Sequence, residues 1–281
     1  QIRPPFRVAT AQIQPTGVVP FMKLDIEVAL EYGFDYPTDL LLQIEAAAIP
    51  EQIVIRAHID VGETEHFARV PAQDMIGDRI WLRSGGTLKV AYTSRIQIDR
   101  FLTDISVLPM VPPAELPGET VQYMLDSAYC PATKFMPFVQ AEFGDLVGGA
   151  RVAAIRDWVA EKFSYIPGSS TFSTNALDSF VMRQGVCRDY AHVVVSLCRA
   201  STIPARFVSV YAPDVAPQDF HAVAEVFLDG AWHLVDATGM AKEGEMAKIG
   251  VGRDAADVSF LTAYGPGHMI SQSVSVARVS S

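Results

Sequence analysis

The stretch Gln184-Gly185-Val186-Cys187-Arg188-Asp189-Tyr190-Ala191-His192 places a thiol where a turn gives way to an apolar run that continues to Cys198. That run predicts a buried helix with Cys187 in its first turn, and Gly185 is expected to allow the turn before it. Unpaired N–H groups and the positive dipole end of a helix start stabilise a thiolate. The same N–H groups can hold the oxyanion that forms when a thiolate attacks a carbonyl, so the chemistry implied is nucleophilic acyl transfer. A buried, inert cysteine is the competing reading of this stretch taken alone.

A second segment, Phe220 to Thr238, supplies partners for the thiol. It reads as a β-hairpin turning at Asp229-Gly230, which sets Leu228 against Ala231, Phe227 against Trp232 and Val223 against Asp236. His221 shares a face with Val223, so it lies diagonal to Asp236, within roughly 7–8 Å. An imidazole and a carboxylate can meet across that gap. Cys187, His221 and Asp236 together make a Cys-His-Asp arrangement.

The remaining histidines and cysteines read structurally. His233 faces Val226 on the other side of the hairpin. His192 follows Cys187 by five residues, which at about 100° per residue turns it away from the thiol. His58, His66 and His268 have no patterned neighbours. Cys198 lies on nearly the same helix face as Cys187 but about 16 Å along the axis, too far for a disulfide, and Cys130 sits in a Pro-bounded loop. No C-x-x-C or H-E-x-x-H spacing occurs, so no cofactor or structural metal is expected; a metal held by Cys187, His221 and Asp236 themselves is the alternative that residue types leave open.

These motifs resemble those of the transglutaminase-like superfamily, in particular bacterial members with a papain-like core, often described as transglutaminase-like cysteine proteases. Gly185 to His192 is similar to the family's nucleophile helix, and Ile203-Pro204-Ala205-Arg206-Phe207-Val208 to the strand after it. His221 to Val226 resembles the base strand, and Trp232 to Thr238 the strand carrying the acid. The resemblance implies Cys187 as nucleophile, His221 as general base and acid, and Asp236 as the group orienting it. Three positions depart from the family pattern: Val223 stands where Trp is usual, Ala237 where Pro is usual, and Thr202 where Gly is usual. The resemblance is strong over about residues 150 to 240. Asp74-Met75-Ile76-Gly77-Asp78-Arg79 and Ser127-Ala128-Tyr129-Cys130-Pro131 look like the β-rich region that precedes this core, and Gly252-Arg253-Asp254-Ala255-Ala256-Asp257-Val258 like a tail motif whose chemistry the sequence does not explain.

The elements that must hold these residues follow from patterning. With 281 residues the chain has length for two domains, and the cluster Pro109, Pro112, Pro113, Pro117 and Gly118 sets the boundary. Before it, alternating runs such as Leu24 to Val28, Ile53 to Ile59 and Ile80 to Arg83, with Gly85-Gly86 turning into Leu88 to Tyr92, predict an all-β sandwich over 1–113. After it, Val152, Ile155, Trp158 or Val159, and Phe163 recur at helical spacing. Helices followed by antiparallel strands predict an α+β, papain-like catalytic domain over 114–281.

The net charge is −10, from 22 basic and 32 acidic residues, and no basic run is interleaved with aromatics, so nucleic acid is not an expected partner. No apolar stretch reaches the roughly 18 residues that span a bilayer, so no membrane partner is expected, and the N-terminus has no charged-then-apolar signal pattern, although a chain starting at Gln1 leaves a removed leader open. A cytoplasmic location fits three unpatterned cysteines; oligomeric state is not encoded legibly. The expected activity is cysteine-dependent acyl transfer from a peptide or protein amide through a thioester, with water as acceptor in a peptidase or amidase. An amine acceptor would make a transglutaminase instead, and a non-catalytic scaffold on the same fold is the reading from another class. The Cys187 N–H is one oxyanion donor; the second is expected from the Tyr165 to Asn175 segment, where Asn175 serves either as that donor or as the cap of the helix starting near Ala176.

Overall fold

The computed structural model describes residues 21–279. The first twenty residues of the expected 1–113 unit and the last two of 114–281 therefore lie outside the described residues.

Alternation of buried Leu24, Ile26, Val28 and Leu30 with more exposed neighbours starts β1 (Met22–Leu42), and one face of a strand buries in this way when its sheet covers a core. Its main partner is β4 (Asp78–Ile98), antiparallel from Met22↔Ile98 to Leu42↔Ile80. The expected turn at Gly85-Gly86 is absent, and both glycines lie within one 21-residue strand. They sit opposite the register shift between Phe34 and Thr38, where Pro37 interrupts the ladder. Proline has no N–H to donate, and a side chain on Gly85 would come within 3.3 Å of the Pro37 nitrogen. The glycines accommodate a bulge where a turn was expected.

Strands β2 (Gln52–Asp60) and β3 (His66–Pro71) pair with the two halves of β4, completing one flank. The other flank comes from the far end of the chain: β11 (Leu261–Ala263) and β12 (His268–Arg278) both pair with β1. The result is a six-stranded antiparallel sheet. Ile26↔Val276 and Val28↔Val274 match apolar residues across β1 and β12, which gives the C-terminal strand its register. A division at residue 113 thus leaves two strands of the first sheet in the second unit, and we propose grouping 261–278 with that sheet.

The second unit has the expected order. α1 (Met136–Phe143) and α2 (Gly148–Lys162) precede β5 (Ser164–Tyr165), α3 (Ala176–Met182), β6 (Gln184–Gly185) and α4 (Cys187–Ala200). Then β7 (Ala205–Tyr211), β8 (His221–Leu228), β9 (Ala231–Val235) and β10 (Ala247–Gly252) form a four-stranded antiparallel sheet, ordered β10-β7-β8-β9. α4 is buried from Asp189 to Arg199 and shares one apolar core with Val152, Ile155 and Val159 of α2 and Ala224 and Val226 of β8. The first core does not stop at its own sheet: Tyr211, Ala247 and Ile249 belong to it. The molecule is therefore α+β, a β-rich N-terminal region packed on a helix-and-sheet core.

Candidate active site

Cys187 is the first residue of α4, half-buried, as the apolar run predicted. Val186 has no polar side chain to cap the helix. Asp189, wholly buried, turns back instead, and its Oδ2 accepts the Val186 N–H at 2.8 Å, a carboxylate in the first turn being favoured by the helix dipole as well. This explains Gly185 better than a turn does. A Cβ there would lie 2.5 Å from the Asp189 Cβ, so glycine is needed for the close approach of the carboxylate that fixes the helix start.

The hairpin has the predicted register: Leu228↔Ala231, Phe227↔Trp232 and Val226↔His233. The last pair in the ladder is Ala224↔Val235, which leaves Asp236 one residue past the strand. His221 Nε2 lies 3.0 Å from Asp236 Oδ2. Asp236 is held on its other side, Oδ1 accepting from the Thr238 N–H and hydroxyl at 2.8 and 2.7 Å and Oδ2 from the Ala241 N–H at 2.9 Å. Burial alone would raise this carboxyl, but the hydrogen bonds from His221 and Thr238 keep it below its ordinary range.

Burial likewise opposes a charged His221, yet the bond to Asp236 and the nearby Cys187 thiol outweigh it and push the imidazole up to about 9. The ring is essentially inaccessible, and its Nδ1 has no other partner. One nitrogen meets the carboxylate and the other is left for the sulfur. All three residues singled out from the sequence are brought together.

Tyr165 lies beside them, and sequence reasoning named it only as the first residue of the segment expected to supply the second oxyanion donor. The two-residue parallel bridge β5–β6 pairs Tyr165 with Gly185, two residues before Cys187, and burial first, then the neighbouring Cys187 thiol, pushes the phenol up to about 12. Asn175 is a helix cap: its Oδ1 accepts from Leu177 and Asp178 N–H, and Asp178 reciprocates to the Asn175 N–H.

His192 is fully buried, stacked on Tyr129 with centroids 5.2 Å apart, and its Nε2 accepts the Ala255 N–H; burial holds it well below its ordinary range. His233 is half-buried in the hairpin, opposite Val226. Cys130 and Cys198 are buried, and burial pushes each up to about 12; no cysteine is disulfide-bonded among the described residues. The tail motif now has a physical account. Ala255 caps His192, Asp254 accepts the Tyr129 N–H at 2.8 Å, and Arg253 pairs with Asp257. It thereby ties the loop Ser127 to Pro131 to α4 and walls a cleft. That cleft, of about 680 Å³, is lined by Cys187 and His221 on one side and by Val258, Phe260 and Leu261 on the other.

Residues 140–237 match the transglutaminase-like superfamily core. A crystal structure from Cytophaga hutchinsonii, reported as that of a candidate cysteine protease, superposes with a TM-score of 0.87 at 29% identity, covering 93% of this chain and 92% of that one. An uncharacterized protein of Mycobacterium leprae is 31% identical over 118 residues, 39% of this chain and 42% of that protein. An uncharacterized protein of Mycobacterium tuberculosis is 32% identical over 111 residues, 34% of this chain and 35% of that protein. The chain thus spans less than half the length of the curated relatives it matches. Residues 140–237 carry a transglutaminase-like core, and the superfamily match together with the Cytophaga structure supports a cysteine-dependent enzyme. Among the described residues no helix is long and apolar enough to cross a membrane.

Proposed function

We propose that the protein is a cysteine-dependent amide acyltransferase working chiefly as a peptidase or amidase, with Cys187 as nucleophile, His221 as acid and base, and Asp236 orienting the imidazole. The observation that carries this reading is the His221–Asp236 bond of 3.0 Å with the opposite ring nitrogen free beside the Cys187 thiol. Sulfur attacks the carbonyl carbon, and the C–N bond breaks as His221 passes a proton to the departing amine, leaving a thioester. Water, deprotonated by His221, then attacks the thioester and releases the acid and the thiol. A lysine-type amine in place of water would give transglutamination, and product analysis with and without added amine separates the two. A reducing, cytoplasmic setting fits three unpaired cysteines.

The first test is alkylation of the three cysteines by iodoacetamide across pH, followed by peptide mass spectrometry. Cys187 is expected to react far faster than buried Cys130 and Cys198, and to keep reacting well below pH 8. Labelling of Cys187 no faster than that of an ordinary thiol would overturn the reading and favour a non-catalytic scaffold.

The oxyanion is assigned to the Cys187 N–H and to the Tyr165 hydroxyl, whose strand is bridged to Gly185 just before the thiol. Tyr165→Phe removes one donor of the pair. It is expected to lower kcat on an amide by about 10- to 100-fold while leaving iodoacetamide alkylation of Cys187 within about twofold, because alkylation forms no oxyanion. Equal losses in both assays would assign Tyr165 to positioning the thiol instead.

A further inference from the structure

The cleft wall opposite Cys187 contains consecutive residues, Ser259, Phe260, Leu261, Thr262 and Ala263. Side chains on a strand alternate faces, so three successive residues of β11 can border one cleft only along their shared backbone edge. The direction of that backbone is fixed by the flanking bonds, Phe260 O accepting from Gln43 N–H at 2.9 Å and Tyr264 N–H donating to Asp39 O at 2.9 Å. Phe260, Thr262 and Tyr264 therefore turn their peptide groups toward β1, and Leu261 and Ala263, one out of phase, turn theirs away from it. β11 ends the sheet order, with β1 its sole strand partner among the described residues. The Leu261 carbonyl is occupied by the Ser259 hydroxyl at 2.9 Å. What remains facing the cleft is the Leu261 N–H, the Ala263 N–H and the Ala263 carbonyl.

Beside this edge the walls are apolar. Phe220 and Phe260 stack at 4.8 Å with their planes 7° apart, and Phe207 and Val258 adjoin them. Among the described residues no carboxylate lines the cleft, although the protein carries a net charge of −10; Arg188 and His221 are the ionisable bases lining it.

We infer that the unpaired edge of β11 binds the acyl donor as an added strand, so that the substrate is an extended peptide with apolar side chains near the bond attacked by Cys187. This rests on the proposed role of Cys187 and states what that site acts upon. A three-residue edge covers about 10 Å of extended chain, and backbone pairing supplies affinity while the flanking aromatics select the side chains. Free amide groups at a sheet edge are a template for such pairing. Here the template lies in the cleft that holds the thiol.

Ala263→Pro tests it. Ala263 is exposed and its N–H points away from β1, so proline there deletes the donor without breaking the β1–β11 ladder. The probes are benzyloxycarbonyl-Phe-Ala fluoromethyl ketone, whose fluoride leaves as the thioether to Cys187 forms, and iodoacetamide, which has no chain to dock. The peptidyl-to-iodoacetamide rate ratio is expected to fall about 10-fold in Ala263→Pro, the equivalent of one hydrogen bond, with iodoacetamide alone unchanged. On the wild-type protein, N-methylation of the peptidyl reagent at one amide is expected to lower its rate about 10-fold and at the adjacent amide to leave it unchanged, since neighbouring amides on a strand point opposite ways. This second measurement decides the matter if the proline variant does not fold. A ratio unmoved by Ala263→Pro in folded protein, or by methylation at either amide, overturns strand addition while leaving the thiol chemistry standing. A Cys187 inert to iodoacetamide would instead sink the proposed function on which the inference rests.

Discussion

Cys187→Ala is expected to abolish the proposed acyl transfer, and His221→Ala to lower kcat/KM on an amide by about 10⁶-fold, because the proposed nucleophile and base would act as one unit and removing either removes both. Asp236→Asn is expected to cost less, about 10⁴-fold, since the imidazole remains but loses the charge that orients it and stabilises its protonated form. The pH profile separates these roles. His221, pushed up to about 9 against the opposing effect of burial, must carry its proton to expel an amine. The alkaline limb of kcat/KM for an amide is therefore expected near pH 9 and moves toward lower pH in Asp236→Asn, where the largest raising influence is gone. A phenyl ester, whose leaving group needs no proton, should show no such limb. The stability linkage has the same sign. A histidine whose folded value exceeds its ordinary 6.5 stabilises the fold fully below that pH and loses this contribution as the pH rises through about 9. An alkaline limb that stays in place in Asp236→Asn would remove His221 from the role of acid.

The parts of this site that were readable in the sequence are those set by local rules. Asp229-Gly230 fixes the hairpin register, the register puts His221 near Asp236, and an apolar run beginning at Cys187 fixes a helix start. The Asp236-Ala237-Thr238 sequence even carries its own brace, since a hydroxyl two residues on commonly returns to a carboxylate. What was not readable depends on partners distant in the chain. Tyr165 reaches Cys187 only through a two-residue parallel bridge, too short to leave a pattern. Gly85-Gly86 looks like a turn because glycine signals both turns and bulges, and Pro37 opposite decides between them. The C-terminal strands join β1 across more than 200 residues of sequence, and nothing in their own composition says which edge they will cover.

The same holds for the charged residues that lock the two sheets together, and here the expected effect is on stability. Glu225, fully buried on β8, pairs with Arg206 across the ladder at 2.6 Å and with Lys248 from β10. Arg206 also meets Asp74 at 2.9 Å, and Lys248 meets Glu51 at 2.5 Å, with Arg100 joining Glu51 at 3.2 Å. Glu51, Asp74 and Arg100 belong to the β-rich region, so the motif Asp74 to Arg79 is a docking element. Asp74 stands in the left-handed region at φ 56°, held also by the Tyr123 hydroxyl at 2.6 Å. Burial would raise the Glu225 carboxyl, but Lys248 and Arg206 bring it down to about 2. Burying three charges is costly, and their mutual attraction offsets the cost only while every partner is present. Glu225→Ala leaves two cations facing each other in the interior. It is expected to destabilise the protein by about 3 kcal/mol and to lower Tm by roughly 6–10 °C, whereas Asp39→Asn, whose pair with Arg83 is exposed, should cost less than about 1 kcal/mol. The pH sign follows from the depressed carboxyl. Its contribution is complete above the ordinary value of 4.5 and is lost as the pH falls through about 2, so the gap between wild type and Glu225→Ala measured by thermal unfolding should narrow in acid. A gap that is small at neutral pH would mean that Arg206 and Lys248 are satisfied by Asp74 and Glu51 alone, and that Glu225 is not what joins the sheets.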